Sequence, residues 1–89
     1  MRDLETLTAA DFAPHLHERF AVSPGGGPPL ALELAEVTGA GGRPFSLVFR
    51  GPSEPLLPQR IHRLEHPTLG ALDLFLVPIG PGRYEAIFT

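Results

Sequence analysis

Apolar and polar residues alternate with a period of two along most of the chain after residue 17. The alternation is present in six short stretches, at residues 18–22, 30–37, 45–50, 60–66, 72–79 and 84–88. Successive side chains of a β-strand point to opposite faces of a sheet, so each stretch is predicted to be a strand with one face toward a core. Clusters of Gly and Pro lie between the stretches and predict turns.

One short helix is predicted before the first strand. Thr8 is followed three residues later by Asp11, a variant of the capping box in which Asp replaces the preferred Glu or Gln. Ala9 and Ala10 suit a helix, whereas Pro14 ends it after one or two turns. We expect this segment to plug one end of a barrel or to cover one face of a sheet.

The spacing of the six strands limits the fold class. No segment between them is long enough for a crossover helix, so alternating β-α-β units are excluded. A chain of 89 residues has room for one domain. We therefore predict a single domain over residues 1–89 that is mainly β, a small antiparallel six-stranded barrel or sandwich with one short N-terminal helix. The pattern does not distinguish a barrel from a sandwich.

The fifth predicted strand, at residues 72–79, is apolar on both faces. One face carries Leu72, Leu74 and Leu76, and the other carries Phe75, Val77 and Ile79. A strand of this kind is normally buried on both sides, so the N-terminal helix or a partner chain is expected to cover the outer one. Pro78 has no N–H to donate, so pairing must end or bulge there. The predicted interface for self-association or for a protein partner consists of Leu74, Phe75, Leu76, Val77, Ile79, Tyr84 and Ile87.

Composition excludes several classes of protein. The formal net charge is −3, and the seven basic residues are scattered arginines, so no nucleic-acid footprint is predicted. The longest apolar run, at residues 74–77, is far shorter than the roughly 20 residues that span a bilayer. The chain contains no Cys and no visible targeting segment, so disulfides and thiolate metal sites are excluded and a cytoplasmic location is expected.

Four histidines are candidate metal ligands: His15, His17, His62 and His66. In a strand His62 and His66 lie about 13 Å apart at about 3.3 Å per residue. Two ligands of one zinc ion cannot be so distant, because each Zn–N bond is about 2.0–2.1 Å long. His15 or His17 can approach one of the other two only through the fold. We therefore predict no metal and no cofactor.

Catalytic chemistry has few candidates in this sequence. Glu65 and Asp73 can approach one another across a hairpin, but two exposed charges at a strand end are the simpler interpretation. We predict that the protein is not an enzyme. An alternative function is the binding of a small ligand or peptide at a barrel mouth formed by His62, Arg63 and His66.

The irregular segment at residues 50–59 is the longest in the chain, yet it contains Leu56 and Leu57. An apolar pair in such a segment either folds back onto the core or is presented to a partner. Folding back is the preferred interpretation.

Several motifs resemble a family of short bacterial proteins of unknown function. They are RPFSLVFRGP at 43–52, LEHP at 64–67, LFLVPIG at 74–80 and YEAIF at 84–88. The resemblance extends over nearly the whole chain and implies no activity, although it associates such genes with phage-tail-like neighbours. The resulting hypothesis is a β-rich interaction or assembly module without catalytic activity, a subunit of a larger, phage-tail-like complex.

Overall fold

A computed structural model describes residues 4–23, 27–39, 41–54 and 56–89. Three short helical turns come first: a 3-10 turn at Leu4–Thr6, helix α1 at Ala9–Phe12 and a second 3-10 turn at Ala13–His15. Six strands follow: β1 (Arg19–Val22), β2 (Leu30–Thr38), β3 (Phe45–Arg50), β4 (Arg60–His66), β5 (Gly70–Gly80) and β6 (Arg83–Phe88). The six predicted strands and the short helix are thus confirmed. The turn predicted between the first two strands lies partly outside the described residues.

The six strands form one closed antiparallel barrel with the order β1-β2-β3-β6-β5-β4. Closure comes from β1, which pairs with β2 along its whole length and with β4 at Ala21 and Val22. Of the two predicted alternatives, the fold is therefore a barrel and not a sandwich. Closing the sheet removes free strand edges and encloses the inward-facing side chains in one apolar core.

One end of the barrel is filled by residues 4–15, here called the N-terminal plug. Leu7, Ala9 and Phe12 are buried, and the Phe12 ring lies 5.8 Å and 5.7 Å from the rings of Phe45 and Phe88. These two partners stand at the beginning of β3 and the end of β6, which antiparallel pairing brings to the same end of the barrel. Of the two predicted positions for the helix, the structure shows the plug.

The predicted helix cap is confirmed. The Thr8 backbone N–H donates to Asp11 Oδ2 at 2.7 Å, and the Asp11 N–H donates to the Thr8 carbonyl at 3.0 Å. An N-cap of this type satisfies backbone donors that an α-helix leaves free at its first turn. It begins a helix of only four residues, whose stability comes from burying Ala9 and Phe12.

The opposite end of the barrel carries the irregular segment between β3 and β4, two strands that are not neighbours. Leu57 is 1% exposed, and its N–H donates to the Tyr84 hydroxyl at 2.9 Å in the interior. Leu56 is 57% exposed. The apolar pair therefore divides, with Leu57 folded back onto the core as predicted and Leu56 presented to solvent.

For the outer face of β5, the predicted cover by the N-terminal helix is wrong, and cover by a partner chain stays a prediction. The inward residues of this strand, Leu72, Leu74 and Leu76, are in the core, but Phe75 and Ile79 on the outer side are exposed. The reason is that the N-terminal plug packs into the barrel end and does not lie over the outer face of β5. The expected irregularity at Pro78 is confirmed, because the register with β6 shifts between Pro78 and Gly80.

Candidate functional site

Three ionisable side chains meet at the plugged end of the barrel, and we call them the histidine cluster: His15, Glu18 and His66. His15 ends the second 3-10 turn, Glu18 precedes β1, and His66 is the last residue of β4. One nitrogen or oxygen atom from each side chain lies within 4.8 Å of the other two. The cluster therefore joins the N-terminal plug, the start of β1 and the β4–β5 turn.

Glu18 is the centre of the histidine cluster. Its Oε1 atom accepts hydrogen bonds from His15 Nδ1 at 2.8 Å and from His66 Nε2 at 2.7 Å. The Glu18 side chain is 48% exposed, whereas that of His66 is 3% exposed. The hydrogen bond from His15, followed by that from His66, lowers the pKa of the Glu18 carboxyl below its ordinary value. The carboxylate is thereby kept ionised and accepts both donors.

The hydrogen bonds of His66 determine which of its ring nitrogens carries the proton. His66 Nδ1 faces the backbone N–H groups of Thr68 and Leu69, each at 3.1 Å, so this nitrogen is an acceptor. A neutral imidazole has one acceptor and one donor nitrogen, so the proton is on Nε2 and points at Glu18. His15 has the opposite tautomer, because its Nδ1 donates to the same carboxylate.

Aromatic contacts hold the His66 ring in this orientation. The Phe20 ring lies 4.6 Å away, and the His15 ring meets it edge-on at 4.7 Å. Phe20 belongs to β1 and is fully buried. The ring of His66 is thus packed between two elements as well as hydrogen-bonded at both nitrogens.

The donor set of the histidine cluster, two imidazoles and a carboxylate, is one that zinc accepts. Its hydrogen bonding does not suit a metal. A ligating His66 Nε2 would have to offer a lone pair, which moves the ring proton to Nδ1, against the N–H groups of Thr68 and Leu69. Two tetrahedral zinc ligands also lie about 3.4 Å apart for bonds of about 2.0–2.1 Å, whereas Glu18 approaches His15 and His66 at 2.8 Å and 2.7 Å. The geometry is that of a hydrogen-bonded network.

The strand spacing predicted that His62 and His66 lie far apart. Whether His15 or His17 approaches either of them could be decided only by the fold. His62 is buried and its Nε2 donates to the Pro58 carbonyl at 2.8 Å, away from the histidine cluster. His17 is exposed and its Nδ1 contacts Glu33 at 3.0 Å. Only His15 joins His66. No spacing in the sequence signals this contact, because 50 residues separate the two histidines along the chain.

The predicted ligand mouth of His62, Arg63 and His66 is not brought together. Strand alternation points His62 and His66 into the barrel and Arg63 outward. His62 and Arg63 line one groove, at Val22 and Ser23, while His66 lines a separate one.

Arg63 is engaged in an ion pair on the outer surface. Its Nε and Nη2 atoms donate to the two carboxylate oxygens of Asp73 at 2.9 Å and 3.1 Å. These bonds lower the pKa of Asp73 and raise that of Arg63. Asp73 is thus paired with Arg63, its register partner, whereas Glu65 lies opposite Ala71. The considered Glu65–Asp73 acid–base pair is not formed.

The seven residues of the predicted interface divide between the two sides of the barrel wall. Leu74, Leu76 and Tyr84 are buried in the interior, so they are not available to a partner of the folded barrel. Val77 is half-buried, while Phe75, Ile79 and Ile87 are exposed. Strand alternation explains this division, since consecutive residues of a strand point to opposite faces and cannot share one surface.

A stripe of apolar side chains crosses three adjacent strands on the outer surface. It consists of Ile61 on β4, Phe75 on β5 and Ile87 on β6, which are 64%, 50% and 63% exposed. Ile61 and Phe75 are direct register partners. Phe75 and Ile87 line a groove of about 300 Å³ where β5 and β6 diverge, their pairing within the described residues beginning at Val77 and Glu85. We call these three residues the apolar stripe.

Ile61 was not among the residues predicted for this surface. The signal was present, because Ile61 shares the polar face of its strand with Arg63 and Glu65. An isoleucine on the face opposite the core-facing residues has no interior to enter. Its exposure follows from the alternation alone, but its position beside Phe75 depends on the register of β4 with β5.

The fold and these surfaces define the class of the protein as a small closed six-stranded β-barrel capped by a helical plug. Within the described residues, no helix has the length and apolar character needed to cross a bilayer. The chain belongs to the family described as Domain of unknown function (DUF6916), whose family model matches residues 7–88. The predicted membership of a family of unknown function is thereby confirmed. No curated protein and no solved structure matches the chain.

Proposed function

We propose that this barrel is a non-catalytic interaction or assembly module that docks onto a protein partner through the apolar stripe. The supporting observation is that Ile61, Phe75 and Ile87 are exposed on three neighbouring strands of the outer surface, with Ile61 and Phe75 in direct register and Ile87 lining a groove with Phe75. Scattered exposed apolar residues are common on monomeric proteins, but contiguous ones mark contact surfaces. The partner is therefore expected to present an apolar surface.

The surroundings of the apolar stripe support the same proposal. The Arg63–Asp73 ion pair lies beside it on β4 and β5, with both side chains partly exposed. An apolar centre with a polar rim is the usual anatomy of a protein–protein interface.

Self-association is the first form of the proposal to test. The expected result is a concentration-dependent oligomer in sedimentation velocity from low to high micromolar protein. The variant Ile61→Thr/Phe75→Thr/Ile87→Thr keeps β-forming residues on the surface and should sediment as a monomer. Leu56→Thr removes an equally exposed apolar side chain outside the stripe and should leave the oligomer intact.

A second experiment shows whether the partner is another copy of this chain or a different protein. If the wild-type protein is monomeric at every concentration, self-association is wrong and a heteromeric partner is sought by co-purification from the native cell. The triple Thr variant should then lose that partner, while Leu56→Thr retains it. Equal capture by all three proteins would contradict the role of the apolar stripe.

The setting we propose is a larger, phage-tail-like assembly in the cytoplasm of a bacterium. Its support is the resemblance of the sequence motifs, together with a surface suited to subunit contacts. The identity of a co-purified partner tests this setting directly, since proteins unrelated to such assemblies would contradict it.

A further inference from the structure

We infer that the histidine cluster is a proton-sensitive joint between the end of the N-terminal plug and the β4–β5 turn, and that a second proton on His66 releases the backbone of this turn from the imidazole. The inference does not depend on the proposed interaction, because the histidine cluster and the apolar stripe share no residue. It rests on the hydrogen bonds at both nitrogens of His66 and at Nδ1 of His15.

One ring nitrogen of His66 is a hydrogen-bond donor and the other is an acceptor. Nε2 already carries a proton and donates it to Glu18 at 2.7 Å. A second proton can therefore go only to Nδ1, which accepts from the N–H groups of Thr68 and Leu69. A protonated Nδ1 is a donor and cannot accept from either group. Charging His66 thus breaks two backbone hydrogen bonds at once.

The lost bonds affect a buried part of the turn. Leu69 is 4% exposed and belongs to the apolar core, so its N–H has little access to water when the His66 contact is lost. A buried donor without a partner is unfavourable, and the turn must move to rehydrate it. Since the His66 ring also packs on Phe20 and His15, this movement reaches β1 and the end of the plug.

His15 responds to protonation in the opposite way. Its Nδ1 donates to Glu18, so a second proton is added at Nε2 and leaves that hydrogen bond in place. The contact then becomes an ion pair. The groups facing His66 are the Glu18 carboxylate, the His15 imidazole, the Phe20 ring and the two turn amides. The anion attracts a charged His66, and a charged His15 opposes it.

The first test is the tautomer of each histidine, read from long-range ¹H–¹⁵N correlation spectra of the wild-type protein at about pH 7.5. The expected result is the Nε2–H form for His66 and the Nδ1–H form for His15. The Nδ1–H form at His66 would overturn the inference. Addition of one equivalent of Zn²⁺ should leave the His66 signals unchanged, and a metal-bound His66 Nε2 would likewise overturn it.

The second test follows hydrogen exchange at Thr68 and Leu69 as the pH is lowered from about 7.5 to about 5. After correction for intrinsic exchange, protection at both amides should fall by about tenfold or more, because two hydrogen bonds are lost. Protection that stays constant at both amides would overturn the inference.

Two variants complete the design. His66→Gln has no ring to charge, so protection at Thr68 and Leu69 should no longer depend on pH. His17→Asn is the matched control, because His17 contacts Glu33 through the same kind of histidine–carboxylate pair on the surface and should leave the pH dependence unchanged. The wild-type measurements decide the question even if His66→Gln does not fold.

Discussion

The N-terminal plug is fastened at its two ends by very different chemistry. At its beginning, Arg43 Nη1 donates to the carbonyls of Leu4 and Leu7 at 2.9 Å and 2.8 Å. The same guanidinium donates twice to the Thr89 carbonyl, at 3.1 Å and 3.0 Å. At its end, His15 is joined through Glu18 to His66.

The difference lies in how each fastening responds to protons. A guanidinium remains charged throughout the pH range in which proteins are folded, so the Arg43 contacts are permanent. Imidazoles change their charge near neutral and mildly acidic pH, so the contacts of the histidine cluster depend on pH. The contacts at the beginning of the plug therefore stay the same as the pH falls, while the turn joined to its end changes its hydrogen bonds.

The largest effect is expected from Phe12→Ala, which removes the apolar anchor between the two fastenings. Phe12 is fully buried against Phe45 and Phe88. Truncating a buried Phe to Ala costs about 3–5 kcal/mol in the free energy of unfolding. Urea denaturation monitored by circular dichroism checks this, with Leu56→Ala as the exposed control. A loss below about 1 kcal/mol would show that the plug does not contribute to the core.

Arg43→Ala should have the next largest effect, a loss of about 1–3 kcal/mol because its four hydrogen bonds to backbone carbonyls disappear. Arg43→Lys should restore only part of this, since an ammonium cannot reproduce the planar fork. Denaturation of both variants at neutral and mildly acidic pH should give the same loss. A loss that changes with pH would contradict the distinction between the two fastenings.

Glu18→Gln tests how the histidine cluster makes the stability of the fold depend on pH. The histidines lower the pKa of Glu18 from its ordinary value of 4.5 in the folded state. A lowered carboxyl pKa contributes stability above the ordinary value, and this stability is lost as the pH falls through the folded-state value. The variant should be less stable at neutral pH and should show a flatter decline in that acidic range.

Thermal unfolding across a pH series measures the Glu18 contribution. Glu54→Gln, a change at an exposed carboxyl, serves as the control and should leave the curve parallel to that of the wild-type protein. An unchanged acidic decline in Glu18→Gln would show that the carboxylate does not stabilise the fold.

The smallest effect is expected from His17→Asn, within about 0.5 kcal/mol of the wild-type free energy of unfolding. His17 has a φ of 72°, in the left-handed region, which Asn adopts more readily than most residues. Its contact with Glu33 is exposed on both sides and contributes little. Chemical denaturation checks this. A loss above about 1 kcal/mol would show that His17, like Arg43 and the histidine cluster, helps to hold the plug in place.

Local patterns in the sequence were sufficient to predict every strand and the helix cap. Alternation assigned Leu72, Leu74 and Leu76 to one face, and Pro78 marked the irregularity in β5. These features depend on neighbours within a few residues, where backbone geometry relates sequence spacing to direction. The helix was wrongly expected over the outer face of β5, because what covers that face depends on how distant segments pack.

The amino-acid sequence by itself determined the strands, the alternation of their two faces and the short capped helix, because each follows from nearest-neighbour geometry. Only the tertiary structure decided that the sheet closes into a barrel and that the plug enters its end. It also placed His15, Glu18 and His66 together and set Ile61 beside Phe75. Such contacts depend on strand order and register, which join residues far apart in the chain by packing rather than by local spacing.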